Sequence, residues 1–218
     1  MNHSFRLLPL LLLTPAMVSA SFVYYVESSG TFLFDDDSNG AVDRTLNIGQ
    51  TGAQAVVGDW NGDGFDEVGY VKDGNWTLLS GTNDLSVFAQ FTWNLTTGTS
   101  AAVTGDWNGD GVDEVGYYTT FSAANSVWTL RNNNTGINSL VTTPYQHGGN
   151  FDSPLVGDPD GDGIDGTGLA RNDDVWLSSN FATAPNNVYF SLSDYGSRAA
   201  GDLSALGDWD GDGFDEVM

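Results

Sequence analysis

From residue 22 onward, short apolar runs alternate with clusters of Gly, Asn, Asp, Ser and Thr. The runs are rich in Val, Leu, Trp, Tyr and Phe, and they are too short for a helix. No segment keeps a 3.6-residue apolar period over several turns. β-branched and aromatic runs bounded by turn residues predict strands. These fall at 22–25, 31–34 and 45–48, and then in groups. One group is 55–57, 68–71, 76–79 and 87–91. The next is 101–103, 115–118, 127–130 and 139–141. A third is 155–156, 168–170, 175–177 and 188–190, and a last run lies at 203–206.

The groups follow a repeat. One motif occurs four times: GDWNGDGFDEV at 58–68, GDWNGDGVDEV at 105–115, GDPDGDGIDGT at 157–167 and GDWDGDGFDEV at 207–217. Its first aspartates stand at 59, 106, 158 and 208, so the spacings are 47, 52 and 50 residues. A fixed period of this length with four short strands in it is one blade of a β-propeller. Sandwich modules need about 100 residues and seven strands each, twice this period. The predicted fold is therefore all-β: a propeller of about four four-stranded blades, or a piece of a larger ring. The repeats start near 59, 106, 158 and 208, after a partial blade at 22–58. That partial blade lacks a first strand, and residues 203–217 supply a first strand and loop without the rest. The two ends are complementary, so one closed ring is an expectation.

Charge narrows the chemistry. The chain carries 29 acidic against 6 basic residues, a formal net charge of −23. The acids are 25 Asp and only 4 Glu, and Asp is a poor helix former. With one Lys the chain cannot neutralise phosphates, so nucleic acid and anionic membrane surfaces are excluded as partners. The absence of Cys excludes a disulfide framework, a thiolate metal site and a cysteine nucleophile. What many aspartates can do is hold a hard cation.

The motif has the spacing for it. Counting from Asp59, positions 1, 3 and 5 are Asp59, Asn61 and Asp63, all with side-chain oxygen. Position 6 is Gly64, for a tight turn, and position 7 is Phe65, which offers only its carbonyl. Calcium takes six to eight oxygens, and this is how a short loop wraps it. Carboxylates this close repel one another unless a cation lies between them. An EF-hand reading fails at position 12, where Tyr70, Tyr117 and Leu169 replace the required Glu, and the flanks are strands.

Four such loops, each joining two strands at a period near 50, resemble the FG-GAP or VCBS repeats of integrin-α-like β-propellers. The resemblance covers essentially all of 22–218. It implies that each loop joins the first and second strands of a blade and binds Ca2+ through positions 1, 3, 5, 7 (carbonyl) and 9. The implied ligands are Asp59, Asn61, Asp63, Phe65 and Glu67; Asp106, Asn108, Asp110, Val112 and Glu114; Asp158, Asp160, Asp162 and Ile164; and Asp208, Asp210, Asp212, Phe214 and Glu216. The third loop departs from the pattern, with Gly166 at position 9; a water, or Asp165 turned inward, would fill the place. Position 8 is Asp in every copy (66, 113, 165, 215). Strand alternation points it away from an ion faced by 7 and 9, toward a turn it could cap.

Other features carry less. Trp76, Trp128 and Trp176, with Phe32 in the partial blade, occupy matching third-strand places and read as packing. Trp60, Trp107 and Trp209 sit at position 2, where packing is favoured over stacking on a sugar; Trp93 is the freest aromatic for ligand contact. His147 lies in a Gly-rich stretch and reads as a solvated turn residue. No nucleophile elbow, zinc-binding His pair or phosphate loop is visible, and 17 of the 29 acids belong to the four loops. An enzyme is not expected. Residues 1–20 have the order of a secretory signal peptide: Arg6, an apolar 7–13, then small residues ending in Val18-x-Ala20. The apolar part is too short to span a membrane, and no Cys at the cut leaves a lipid-anchored form. The mature chain would be 21–218, secreted or held at the cell surface or in the periplasm, with no membrane span. The expected role is a calcium-binding adhesion or binding module, with glycans or extracellular proteins as partners. The alternatives are a structural repeat of a larger surface protein, or a non-catalytic part of a polysaccharide-degrading enzyme.

Overall fold

The computed structural model describes residues 7–12, 21–37, 39–93, 99–122, 125–134, 145–146, 152–171, 174–178, 188–191, 206–207 and 214–217. The fold is all-β: among the described residues there is no helix, and none long and apolar enough to cross a membrane. The chain divides into two compact units, 1–95 and 96–218.

The first unit holds two antiparallel sheets, each a meander in sequence order. One is β1 (Leu7–Leu12), β2 (Ser21–Val26), β3 (Thr31–Asp35) and β4 (Arg44–Asn47). The other is β5 (Gln54–Gly58), β6 (Glu67–Lys72), β7 (Asn75–Leu79) and β8 (Val87–Thr92). The second unit repeats the design with β9 (Thr99–Gly105), β10 (Glu114–Ser122), β11 (Asn125–Leu130) and β12 (Tyr145–Gln146). A fourth sheet follows as β13 (Ser153–Gly157), β14 (Gly166–Arg171), β15 (Asp174–Ser178) and β16 (Val188–Ser191). A last pair is β17 (Leu206–Gly207) and β18 (Glu216–Val217). Each sheet is open.

Two features differ from the sequence reading. The leader residues 7–12, expected outside the fold, form β1 and pair with β2 from Leu7↔Val26 to Leu12↔Ser21. An apolar run beside an unpaired strand edge satisfies that edge, and β2 otherwise has none of its own. The expected strand at 139–141 lies outside the described residues. The strand that pairs with β11 is β12, through Val127↔Gln146 and Trp128↔Tyr145. His147, Trp209, residues 203–205 and the acidic part of the fourth loop (208–213) also lie outside the described residues.

Burial runs from inner to outer strand. β6 and β14 are buried along most of their length, on both faces, whereas β8 is exposed or half-exposed throughout. A strand buried on both faces must lie between two layers. Those layers are visible in the cores. In the first unit Val23, Tyr25, Phe32, Phe34, Leu46 and Ile48 of the first sheet meet Val68 and Leu79 of the second. In the second unit Trp107, Tyr118, Trp128 and Leu130 meet Leu169.

The third-strand aromatics sit in one register: Tyr25↔Phe32↔Leu46, Val71↔Trp76↔Phe91, Tyr118↔Trp128↔Tyr145 and Leu169↔Trp176↔Tyr189. Phe32, Trp76 and Trp128 are wholly buried. Phe32 therefore does stand where the later sheets place tryptophan. Trp60 and Trp107, at loop position 2, are buried too, so they pack and present no face to a sugar. Trp93 is half-buried, 6.4 Å from Trp76 between ring centroids.

Turn chemistry sets the hairpins. Asp73 and Gly74 both have positive φ between β6 and β7, which is the Asp-Gly signature of a tight hairpin whose twist matches the strands. The Phe32 ring lies 4.9 Å from Tyr25 and 6.3 Å from Phe34. Replacing a buried ring of this kind leaves a cavity, so Phe32→Ala is expected to lower stability by about 3–5 kcal/mol, read from the denaturant midpoint. A loss under about 1 kcal/mol would mean that the first sheet does not pack through this residue.

Candidate metal centre

Each acidic loop joins the first and second strands of its sheet: 59–66 between β5 and β6, 106–113 between β9 and β10, and 158–165 between β13 and β14. A turn of this length has no ladder partner for its N–H groups, and the carboxylate at position 1 takes that place. Asp59 Oδ1 accepts from the N–H groups of Gly62 (2.7 Å) and Asp63 (3.2 Å), and Oδ2 accepts from Gly64 (2.7 Å). Asp106 accepts in the same way from Gly109, Asp110 and Gly111, and Asp158 from Gly161, Asp162 and Gly163. The position-5 carboxylate then accepts from the N–H of position 7: Asp63 from Phe65, Asp110 from Val112, Asp162 from Ile164, each at 3.0 Å. Gly64, Gly111 and Gly163 at position 6 have φ of 84°, 82° and 80°, a backbone region that only glycine enters freely.

Positions 3 and 9 are joined in the first two loops. Asn61 Nδ2 donates to Glu67 Oε1 at 2.5 Å, and Asn108 Nδ2 to Glu114 Oε1 at 2.6 Å. With its amide nitrogen committed, each Asn has its oxygen left to offer a cation. Glu67 and Glu114 are both buried. Glu114 Oε2 is buried and makes no well-formed hydrogen bond. Burial, and then the charges of Asp110 and Asp106, push the Glu114 carboxyl up to about 8, against the Trp107 N–H that favours its ionised form. An orphaned, desolvated carboxylate oxygen beside two further acids is costly as it stands, and a divalent cation would answer it. The donor set fits a hard ion: carboxylate, amide and carbonyl oxygens with no nitrogen or sulfur.

In the third loop Asp158, Asp160 and Asp162 bring one oxygen each within 4.8 Å of one another. Gly166 leaves position 9 empty of side-chain oxygen, and Asp165 does not fill it. Asp165 Oδ2 accepts instead from the Asp106 N–H of the preceding loop at 2.8 Å. Its own N–H donates to the Asp106 carbonyl at 2.9 Å. Asp215 does the same to Asp158, with 2.8 Å and 2.9 Å. Asp165 is held well above the usual carboxylate range by burial and by the Asp113 charge, against the Asp106 N–H that favours its ionised form. Phe214 is exposed at the tip of the fourth loop, where Glu216 begins β18; Asp208, Asp210 and Asp212 lie outside the described residues.

A fifth loop of the same kind was not anticipated. Asp35, Asp37 and Asp43 bring oxygens within 4.8 Å of one another between β3 and β4. Asp35 Oδ1 accepts from Asn39 (3.0 Å) and Oδ2 from Gly40 (2.8 Å), whose φ is 84°. Asn39 Oδ1 accepts from Ala41, and Asp43 Oδ2 from Asp36. These are the bonds of the first motif loop, at positions 1, 5, 6, 7 and 9. The signal was present as D-x-D-x-N-G-x-x-D at 35–43. It lacks the leading Gly and the position-8 Asp, and it stands on a third-to-fourth strand connection, out of phase with the repeat. Arg44 closes its end, bonding Asp36 (2.8 Å) and the Thr82 carbonyl (2.6 Å) with its guanidinium 3.6 Å above the Phe34 ring.

Comparison with protein-family models gives no match, and comparison with curated proteins finds none.

The raised Glu114 carboxyl has a sign. A carboxyl whose folded-state value lies above the ordinary 4.5 stabilises the fold fully below that value, and the contribution is lost as pH rises through about 8. Cation-free protein should therefore lose stability between these limits, and Glu114→Gln should flatten that part of the profile. Urea midpoints across the range are the measurement, and parallel profiles for the two proteins would count against a buried, uncompensated Glu114.

Proposed function

We propose that the protein is an exported calcium-binding β-propeller of the FG-GAP/VCBS kind, acting as a binding or adhesion module and not as an enzyme. The observation that carries the cation reading is Glu114. Its Oε2 is buried and makes no well-formed hydrogen bond, and the charges of Asp110 and Asp106 in the same loop bear on it. The ligand sets proposed are those of the four motif loops at positions 1, 3, 5, 7 and 9, together with Asp35, Asp37, Asn39 and Asp43. Asp165 and Asp215 are assigned to the loop-to-loop bonds instead. Calcium is favoured over magnesium because the loops offer many oxygens in a flexible cage, where magnesium demands a small octahedron and keeps its water.

The propeller reading is supported by four-stranded meanders, three of them with an acidic loop on the first hairpin and a second strand (β6, β10, β14) buried along most of its length. Export rests on the leader-like residues 1–20. Cleavage after Ala20 would remove β1 and leave the β2 edge open to another strand. A binding role follows from loops that carry the acids and from large apolar side chains held in the open: Phe65 at 61% exposure, Phe121 at 47% and Phe214 at 45%. With Trp60 and Trp107 buried, sugar stacking would fall to such phenylalanines.

Calorimetric titration of metal-stripped protein tests the reading. Calcium is expected to bind at roughly 10⁻⁴–10⁻³ M per site, in the range of extracellular modules, with magnesium weaker. The melting temperature should rise with calcium, because an ion bound only by the folded state stabilises it by mass action. No calcium heat and a melting curve indifferent to chelator would end the proposal. A glycan array probed with and without calcium separates the partners: calcium-dependent hits favour carbohydrate, and none leaves protein partners.

A further inference from the structure

We infer that successive cation loops are coupled through the position-8 aspartates, so that an ion in one loop tightens the loop before it. The inference rests on the cation reading above and concerns how its sites are regulated. Two observations carry it. Asp165 grips both backbone groups of Asp106: its carboxylate takes the Asp106 N–H and its N–H gives to the Asp106 carbonyl. Asp106 is the residue around which the second loop closes. The same pair of bonds joins Asp215 to Asp158 one repeat later, so the link is a property of the repeat. A second contact runs alongside. The Ile164 side chain at position 7 lies so close to Gly109 that a Cβ there would meet Cγ1 at 2.9 Å. Position 7 thus serves twice in the third loop, with its carbonyl toward the proposed ion and its side chain on the preceding loop.

The direction follows from where Asp165 sits in its own loop. It directly follows position 7, whose carbonyl is the backbone ligand. An ion in the third loop fixes that carbonyl, and with it the orientation of the next residue. Asp165 is then held in the one position that reaches Asp106. The second loop is thereby ordered before its ion arrives, and ordering done in advance is affinity gained. Charge alone would act in the opposite sense, since filling one acidic loop weakens the field that draws an ion to the next. For the exposed ligands at positions 3 and 5 that effect is screened over about 8–10 Å at moderate salt, whereas the bonds of Asp165 are local. The net coupling is therefore positive.

The test uses the full chain, calcium chloride and backbone amide resonances. Gly111 N–H, bonded to Asp106 Oδ2 at 2.7 Å, reports on the second loop, and Gly163 N–H, bonded to Asp158 Oδ2 at 2.7 Å, on the third. Asp160→Ala removes an exposed position-3 ligand and impairs the third loop alone. It is expected to weaken calcium at Gly111 about fivefold, the lower end of ordinary coupling. In an Asp165→Ala background the same change should add less than about 1.5-fold, while Asp165→Asn, which keeps an acceptor oxygen, should retain most of the effect. Linkage is reciprocal, so Asn108→Ala should weaken the third loop by the same factor. A measurement independent of any Asp165 variant is amide exchange at Asp106, which should slow with calcium in the native chain and stay fast in Asp160→Ala. A second-loop affinity that moves less than about twofold with Asp160→Ala, or a shift that survives Asp165→Ala, overturns the coupling and leaves calcium binding standing. A native chain that binds no calcium overturns both.

Discussion

One carboxylate at the head of each loop closes that loop around itself. Asp59, Asp106 and Asp158 each accept three backbone N–H bonds from positions 4, 5 and 6. A turn that leaves one strand and enters the next cannot draw on the sheet for partners, and its exposed N–H groups would otherwise be left to water. An Asp is short enough to reach its own chain three to five residues on, and it carries charge, which strengthens each bond. Once these N–H groups are taken, the loop's remaining oxygens are free to converge. In the third loop Asp158, Asp160 and Asp162 do so as like charges, within 4.8 Å of one another. The loop is thus built closed in its backbone and strained in its charge. A divalent ion would relieve that state, and the orphaned oxygen of Glu114 marks the same need from inside the core.

The rest of the architecture follows from where the loops stand. Each lies on the first hairpin of a sheet, next to the most buried strand, so residues at its two ends run directly into the core. Trp107 packs with Tyr118 and Trp128, whose rings are 5.0 Å apart. Gly116 shows how tightly neighbouring strands of one sheet pack: a Cβ there would lie 2.6 Å from Leu130 Cδ2 and 3.0 Å from Val103 Cγ2 of the two flanking strands. The outermost strand, β8, is by contrast exposed along its length. The second sheet is thus anchored at its acidic first hairpin and open along its last strand.

Much of this was legible before any coordinates. The period, most of the strands and the N–H-gathering loops all leave a local trace, because turn residues and strand alternation are set by neighbours in sequence. The packing of the position-2 and third-strand aromatics was legible as well, since large rings at repeated places in short strands have few destinations but a core. What escaped reading was non-local. That Leu7–Leu12 pairs with Ser21–Val26 depends on an edge left unsatisfied elsewhere. That Tyr145–Gln146 pairs with β11 is decided by register across a long connection. The bond from Asp165 to Asp106 spans 59 residues, and no spacing rule points to it. The Asp35 loop was local and still missed, because a search framed on the whole eleven-residue motif passes over a copy that keeps the cage and drops its surroundings.

The Asp35 loop separates two layers of the motif. In the Asp35 loop the cage survives without the leading Gly or an Asp at position 8, so neither is required to close a loop. In the four-copy motif these positions persist, and in the second unit position 8 reaches the preceding loop. The nine residues divide their work. Carboxylates at positions 1 and 5 gather the loop's own N–H groups. Even positions turn outward: Trp60 and Trp107 at 2 enter the core, glycines at 4 and 6 make the turn, and Asp165 and Asp215 at 8 grip the neighbouring loop. The third loop obeys the same division. It gives up its position-2 tryptophan for Pro159 and its position-9 acid for Gly166, yet keeps Asp158 with its three N–H bonds and Asp165 with its neighbour. The residues a loop keeps when it loses others are those that close it and those that tie it to the next, and both are backbone-directed carboxylates.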